Sequence, residues 1–241
     1  MFKWFLYSLM IPLLTSCFQG NVIQASGDDT TEEFLFDPTS TELLVCNVFH
    51  VDLNDSMPEG MVRISTDENT LKYVEVKNRA GKLSLQLKGR YKVAANVIHA
   101  SMAPGDFRKF VAVGASKIRS LQPMNRYDLD IQACGASAAY FKGVEASQLS
   151  VEATGASKIV VSGKTERVKA TATGASSIDA RRVTSVDAKI KAIGTSLIEV
   201  HASGEISGSS TGVSKVTYFG NPEACNISVT GVSVIEKGDS L

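Results

Sequence analysis

Apolar and polar residues alternate along most of the second half of this 241-residue chain, around a recurring three-residue motif. The motif is glycine, then alanine, threonine or valine, then serine. It begins at Gly114, Gly135, Gly155, Gly174, Gly194, Gly212 and Gly231, at spacings of 18 to 21 residues. Positions two and four residues before each glycine, and four after it, are mostly small or apolar, whereas the positions between them are mostly polar. This period of two predicts a β-strand, a corner and a second β-strand in every repeat.

A strand pair of this kind cannot bury its apolar face alone, so successive repeats must stack on one another. Parallel stacking of repeats this long gives coils of about 20 residues. We therefore predict an all-β fold, a single-stranded, right-handed parallel β-helix of seven coils over residues 108–236. Helical repeat folds are not expected, because they need stretches with a period of 3.6 residues, and these are absent from the sequence.

The motif residues have a structural interpretation. Glycine permits the left-handed backbone that a sharp corner requires. The serines share the parity of the apolar positions, so we expect them inside the coils, where their hydroxyls bond backbone groups of neighbouring coils. A row of exposed serines, available for glycosylation or ligand contact, is the alternative. These serines are Ser116, Ser137, Ser157, Ser176, Ser196, Ser214 and Ser233.

The segment before the repeats, residues 34–107, also has the pattern of β-strands. Alternating or β-prone stretches occur at 43–51, 61–64, 73–77 and 82–88, with turn residues between them. An open solenoid end exposes unpaired strand edges and needs a cover. We therefore expect this β-rich portion to cap or extend the solenoid.

Residues 1–17 have the features of a bacterial lipoprotein signal peptide. Lys3 supplies a positive charge, and the apolar run that follows, residues 4–14, is too short to cross a hydrocarbon layer of about 30 Å. The run ends in a Leu-Thr-Ser-Cys sequence that predicts a lipobox, in which Cys17 becomes the lipid-modified first residue. An ordinary signal peptide is the alternative. Residues 18–33 are polar and lack periodicity, which predicts a flexible tether.

Charge and cysteine content narrow the chemistry. The chain has 25 basic and 25 acidic residues, so nothing favours a nucleic-acid partner. Cys46, Cys134 and Cys225 are an odd set in an exported protein and cannot all pair within the chain. The parity of Cys225 predicts a buried thiol, and a disulfide with Cys134 is not indicated. The histidines lie far apart and there is no Cys-x-x-Cys, so we expect neither a metal site nor a cofactor.

The Gly-Ala-Ser-Lys-Ile type repeats, the short strands before them and the closing Val-Thr-Tyr-Phe-Gly-Asn-Pro at 216–222 resemble the head GIN domain of putative auto-transporter adhesins. This domain is frequent in exported lipoproteins of Bacteroidetes-type bacteria. The resemblance covers residues 34–236, although the commoner form of the corner motif is Gly-Ser-Gly. It implies a parallel β-helical fold and an adhesin-like role, and it brings no catalytic or binding residues.

Three functions fit these observations. The first is a non-catalytic lipoprotein of the cell envelope, anchored in the outer membrane, that binds a glycan or protein ligand. The alternative is a structural spacer or assembly partner in the envelope, whose oligomeric state the sequence leaves open. A polysaccharide-acting enzyme is less favoured, because the carboxylates lie at unlike positions of different coils. Outward rows could contact a ligand, although solvated faces are the simpler interpretation: Lys117, Lys158 and Lys215, or Asp179, Glu199 and Glu236.

Overall fold

The computed structural model describes residues 22–89, 92–93 and 97–239. The predicted signal peptide and lipidation site Cys17 lie outside these residues. Within them the chain forms β-strands and one short helix, α1 (Glu68–Leu71). The strands are β1 (Val22–Ile23), β2 (Asp29–Leu35), β3 (Glu42–Val45), β4 (Phe49–Leu53), β5 (Met61–Asp67), β6 (Val74–Arg79), β7 (Lys82–Leu87), β8 (Lys92–Val93), β9 (Ile98–Met102), β10 (Lys109–Gly114), β11 (Lys117–Ser120), β12 (Met124–Gly135), β13 (Ala138–Gly155), β14 (Lys158–Gly174), β15 (Ser177–Ser185), β16 (Asp187–Gly194), β17 (Leu197–Ala202), β18 (Glu205–Gly212), β19 (Lys215–Phe219), β20 (Ala224–Gly231) and β21 (Val234–Lys237).

Successive repeats stack in register as parallel strands. Each corner glycine lies opposite the next one, from Gly114 on Gly135 to Gly212 on Gly231. The strands that follow the corners stack in the same way, from β11 on β13 to β19 on β21. At about 4.8 Å per step, the six steps between seven corners give a rise of roughly 29 Å. The predicted all-β solenoid with coils of about 20 residues is confirmed.

The core consists of columns of similar residues that run along the stack. The column two residues before the corners is built of fully buried alanines, Ala112, Ala133, Ala153, Ala172 and Ala192. The column four residues after the corners is built mainly of fully buried branched side chains, Ile118, Ile159, Ile178, Ile198 and Val216. Next to a sharp corner the two strands of a coil are close together, so only small side chains fit there. The period of two in the sequence is therefore the inside–outside alternation of the strands.

The N-terminal portion both extends the solenoid and caps it. Strands β3 and β4 form a coil that stacks on β10 and β11. Strands β7 and β9 stack in turn on the other side of β3 and β4. Antiparallel strands finish this end, because β5 pairs with β2 and β9, and β6 pairs with β7. The order of coils along the stack therefore differs from their order along the chain.

The coil of β3 and β4 has a corner that the motif does not reveal. Asn47 occupies the place of the corner glycine, with a left-handed φ of 62°. Its carbonyl accepts a hydrogen bond from the Ala115 N–H at 2.8 Å, and its side-chain oxygen accepts one from the Leu87 N–H at 3.1 Å. Asparagine adopts this conformation more readily than most residues, because its short polar side chain bonds locally.

The prediction of a flexible tether over 18–33 is wrong for much of its length. Residues 22–23 form β1, and residues 29–33 belong to β2. The turn between them is held by the buried carboxylate of Asp67, which accepts hydrogen bonds from the Ser26 N–H at 2.7 Å and the Gly27 N–H at 2.9 Å. These partners lie about 40 residues apart along the chain, so the local pattern could not indicate them.

The C-terminal end of the solenoid is open. Within the described residues, β20 pairs only with β18, and β21 pairs only with β19. Cys225, predicted to be a buried thiol, is exposed, and Val229 is 49% exposed. That prediction is wrong because an inward side chain is buried only when a further coil covers it. Cys46 and Cys134 are half-buried, and all three described cysteines are free.

Candidate functional site

The corner motifs lie together along one edge of the solenoid. Gly135 and Gly155 have φ values of 83° and 89°, and the other motif glycines are similar. The Ala156 N–H donates to the Gly135 carbonyl at 2.7 Å. A Cβ placed on Gly155 would lie 2.8 Å from that same carbonyl oxygen. This edge is a column of closely stacked backbone, held by hydrogen bonds between coils.

The serines of the motif face inward. The Ser157 Oγ donates to the Ala133 carbonyl at 2.8 Å, and the Ser176 Oγ donates to the Ala153 carbonyl at 2.9 Å. Ser116 and Ser137 bond the preceding coil in the same way. The six serines from Ser116 to Ser214 are at most 2% exposed, and Ser233, in the last coil, is half-buried. The six buried hydroxyls are not available to an external ligand, and all of them except that of Ser196 have hydrogen-bond partners in the stack.

The outward charged residues that the sequence singled out do align in rows along the stack, but each row also contains residues of other types. Lys117, Lys158 and Lys215 lie in one row, separated by Ala138, Ser177 and Leu197. The acidic residues of the other row are engaged by cations. Lys215 Nζ lies 2.7 Å from Glu236 Oε1, and Arg181 pairs with Asp179 and Glu199. Neither row forms a continuous stripe of one charge.

The register between coils breaks at the second bend of the coil that contains β15. Against β14, the step from Asp179 to Arg182 spans three residues, whereas the matching step in β14 spans two. Against β17, residues 181–183 have no opposite residue. A β-bulge leaves residues unpaired and re-aims their side chains. This bulge places Arg181 and Arg182 on the outer surface, with Arg182 exposed.

Two depressions meet at the bulge and form one outer groove. Their volumes are about 300 Å³ and about 540 Å³, and Arg181 and Arg182 line both. The first, which we call the aromatic half, is also lined by Leu121, Tyr140, Lys142, Ser162 and Asp179. The second, the basic half, is also lined by Thr184, His201, Phe219, Asn221 and Lys237. The groove crosses the coils from that of β11 to that of β21, a length of roughly 29 Å at the spacing of paired strands.

The two arginines of the bulge differ in their surroundings. Arg181 Nη2 lies 2.7 Å from Asp179 Oδ2 and 3.6 Å from Glu199 Oε2. The hydrogen bonds to Asp179 and the two negative charges raise the pKa of Arg181. The Arg182 side chain makes no hydrogen bond or ion pair with the described residues. Arg181 is therefore held in place by acids, whereas the charge of Arg182 is uncompensated.

Close backbone packing shapes the basic half. Gly220 has a φ of 87°, and a Cβ there would lie 3.1 Å from the Cε1 and Nε2 atoms of His201. A Cβ on Gly238 would overlap the ring of Phe219. The His201 Nδ1 is buried and has no hydrogen-bond partner among the described residues. Glycine at both positions lets the two rings line the depression.

Sequence reasoning missed this groove, although one signal was available. Most repeats carry a second glycine in their return segment, at Gly143, Gly163, Gly204 and Gly220. The repeat that starts at Gly174 has Arg181 and Arg182 near the corresponding place instead. A pair of arginines where the other coils bend at glycine indicates a departure from the regular coil. Its three-dimensional consequence, a groove shared by seven neighbouring coils, depends on the stacking.

A separate depression, of about 410 Å³, contains the neighbouring carboxylates Asp128 and Asp130 together with Lys109. Burial raises the pKa of Asp130, whose Oδ2 accepts a hydrogen bond from Gln132 Nε2 at 2.8 Å. Asp128 is exposed on the same strand. Glycoside hydrolysis requires two carboxylates that face each other across the substrate, and two carboxylates along one strand do not provide this arrangement.

The described part of the chain shows neither a metal-binding cluster nor a membrane-spanning helix. Across residues 22–89, 92–93 and 97–239, there is no group of three or more histidine, cysteine or acidic side chains placed to hold a metal ion. Over the same residues, no helix has both the length and the apolar character needed to cross a membrane.

The fold and the groove define a class of protein, a capped parallel β-solenoid that presents an extended outer surface. Such surfaces suit elongated partners. The chain belongs to the family described as "Putative auto-transporter adhesin, head GIN domain", whose model matches residues 41–222. The resemblance drawn from the sequence is thereby confirmed. A search of curated proteins gives no match.

Several solved structures have the same fold. A putative adhesin from Bacteroides fragilis is 18% identical, with a TM-score of 0.74, over 90% of this chain and 100% of its own. A putative lipid binding protein from Parabacteroides distasonis is 18% identical, with a TM-score of 0.68, over 91% of this chain and 100% of its own. A putative adhesin from Parabacteroides merdae is 19% identical, with a TM-score of 0.67 and the same coverages. At these identities the likeness concerns the fold alone.

Proposed function

We propose that this protein is a non-catalytic lipoprotein of the cell envelope that acts as an adhesin-like binding module, and that it binds its ligand in the outer groove. The observation that carries the proposal is the groove itself. It runs along several coils, combines the side chains of Tyr140 and Phe219 with exposed cations, and is built around an irregularity in an otherwise regular stack. Membership of an adhesin family supports the same role.

A catalytic role has less support from the residues of the groove. The carboxylates nearest the bulge, Asp179 and Glu199, are both engaged by the Arg181 guanidinium. In the proposed role these two side chains position Arg181 through the ion pairs.

The proposed anchor would set the orientation of the solenoid. Val22, the first residue of β1, lies five residues after Cys17, a reach of at most about 18 Å for an extended chain. Strand β1 pairs with β8, which lies between β7 and β9 in the chain at the capped end. A lipid on Cys17 would therefore hold the capped end near the membrane and direct the open end, with Lys237, away from it.

The binding proposal is tested with purified protein on arrays of glycans and of matrix and envelope proteins. We expect saturable binding that Arg182→Ala weakens and Arg167→Ala leaves unchanged. Arg167 is the matched control because it is an exposed arginine on β14, outside the groove. No binding to any array member would favour the alternative of a structural spacer. Turnover of a polysaccharide would contradict the non-catalytic assignment.

The anchor and its location need a separate experiment in cells. We expect Cys17→Ser to move the protein from the membrane fraction to the soluble fraction, because the lipid can then no longer be attached. A membrane-bound Cys17→Ser variant would contradict lipidation at this residue. Digestion of intact cells with protease separates a surface-exposed adhesin, which is cleaved, from a periplasmic protein, which is protected.

A further inference from the structure

The basic half of the outer groove has a uniform charge. The cations Arg181, Arg182 and Lys237 line it together with the imidazole of His201, and none of its described lining residues is acidic. Asp179 lines only the aromatic half, on the other side of the bulge. Glu199, the second acid beside Arg181, is on β17 and lines neither depression, so the charged side chains that line the basic half are cationic. An electropositive depression of this kind attracts anions.

The cations are partly organised in advance. Asp179 and Glu199 fix Arg181 at 2.7 Å and 3.6 Å, so little side-chain freedom remains to be lost when a ligand binds. The Arg182 side chain makes no hydrogen bond or ion pair with the described residues, so its guanidinium is available for two parallel hydrogen bonds to a carboxylate or sulfate. Among the described residues, the Lys237 Nζ has one hydrogen-bond partner, the neutral side-chain oxygen of Asn221, at 3.4 Å.

The remaining lining fits a polyhydroxylated ring better than a bare ion. Thr184 and Asn221 carry hydroxyl and amide groups, and the Phe219 ring contributes an apolar wall. The depression has a volume of about 540 Å³, which lies within the usual range of small-molecule sites, about 300–1,000 Å³. Arg181 and Arg182 line this depression and the aromatic half alike, so a chain of sugar units that contacts them could extend along the coils.

We propose that the basic half of the outer groove, around Arg182 and Lys237, recognises the carboxylate or sulfate group of an acidic saccharide. This inference rests on the proposed binding function and gives its ligand class. Arg182 is the principal contact, because it has both an uncompensated charge and a forked geometry. His201 lies on the next coil, whereas Lys237 lies three coils along the stack, at about 14 Å, where it would contact a further acidic group of the same saccharide chain.

The experiment measures affinity of the purified full mature chain for defined oligosaccharides by calorimetry. The probes are an oligogalacturonate, a chondroitin sulfate oligosaccharide and a neutral oligogalactoside of equal length. We expect the acidic probes to bind, the neutral probe to bind at least about tenfold more weakly, and added salt to weaken binding of the acidic probes. Loss of a hydrogen bond to a charged group makes Arg182→Ala about 10- to 100-fold weaker.

Matched variants distinguish recognition of an acidic group from the proposed binding function as a whole. Arg182→Lys keeps the charge but loses the fork, so it should bind between wild type and Arg182→Ala. Arg167→Ala should bind like wild type. Equal affinity for acidic and neutral probes, or acidic binding unchanged by both Arg182→Ala and Lys237→Ala, would overturn the anion assignment while the binding function stands.

Two other results also decide the question. If the acidic probes fail but a protein partner binds in the groove, the saccharide assignment is wrong and the adhesin-like function is kept. Vesicles of phosphatidylglycerol and phosphatidylcholine test a lipid headgroup as the anion. Binding to these vesicles that depends on Arg182, without binding to the acidic oligosaccharides, would likewise replace the saccharide with a lipid.

Discussion

The most direct test of the solenoid is a methyl group added at one corner. Gly155 has a φ of 89°, and a Cβ there would lie 2.8 Å from the Gly135 carbonyl oxygen. That oxygen is also the acceptor of the Ala156 N–H at 2.7 Å. In Gly155→Ala, the new methyl group and this hydrogen bond compete for the same space. The two coils must therefore move apart locally.

The expected loss in the free energy of unfolding of Gly155→Ala is the sum of two costs. A left-handed conformation costs an L-residue about 1–2 kcal/mol, and a weakened backbone hydrogen bond costs about 0.5–1.5 kcal/mol. Gly155→Ala should therefore lower the free energy of unfolding by roughly 1.5–3.5 kcal/mol. For a chain of this size, about 2–4 °C per kcal/mol converts this loss to a fall in Tm of roughly 3–14 °C.

The matched control is Gly27→Ala. Gly27 has nearly the same φ, 90°, but among the described residues no atom outside its chain neighbours lies within 4 Å of its Cβ position. This variant meets the conformational cost without the steric one, in a turn near the start of the described chain. Thermal unfolding followed by circular dichroism compares the two. Equal Tm values for Gly155→Ala and Gly27→Ala would refute the close stacking of the corners.

Three further predictions concern single side chains. Ser176→Ala should cost about 1 kcal/mol in denaturant unfolding, because its Oγ donates to the Ala153 carbonyl at 2.9 Å, whereas Ser196→Ala, whose Oγ has no partner among the described residues, should cost less. Burial alone would raise the pKa of Asp67, but hydrogen bonds from Gly27, Ser26 and Asn69 hold this pKa below its ordinary value. The carboxylate therefore stabilises the fold at neutral pH, and this stabilisation is lost as the pH falls through the lowered pKa. Asp67→Asn should make the free energy of unfolding depend less on pH in the acid range, and an unchanged dependence would contradict this. A maleimide should label exposed Cys225 faster than half-buried Cys134. Because burial raises the pKa of both thiols, both labelling rates should increase as the pH rises above neutral. Equal labelling rates for the two cysteines would contradict an open C-terminal end.

Much of the solenoid could be predicted from the sequence, because its information is local and repeated. The period of two around each corner glycine places Ile159 and Ile178 inside, and the regular spacing places each corner on the next. Stacking a repeat on its own copy requires no knowledge of distant partners. The same logic failed for Cys225, because within residues 22–89, 92–93 and 97–239 no coil stacks on the outer side of the last copy.

The tertiary structure decided everything that depends on partners far apart in the chain. Strand β3 stacks between β7 and β10. Asp67 holds a turn that lies about 40 residues before it in the chain. The outer groove arises because three residues of β15 have no opposite residue in β17 and project Arg181 and Arg182 from the stack. A periodic pattern determines which side chains face the core. It does not determine how neighbouring coils accommodate an extra residue, because that depends on the packing of coils against one another, and the candidate binding site is formed where they do so.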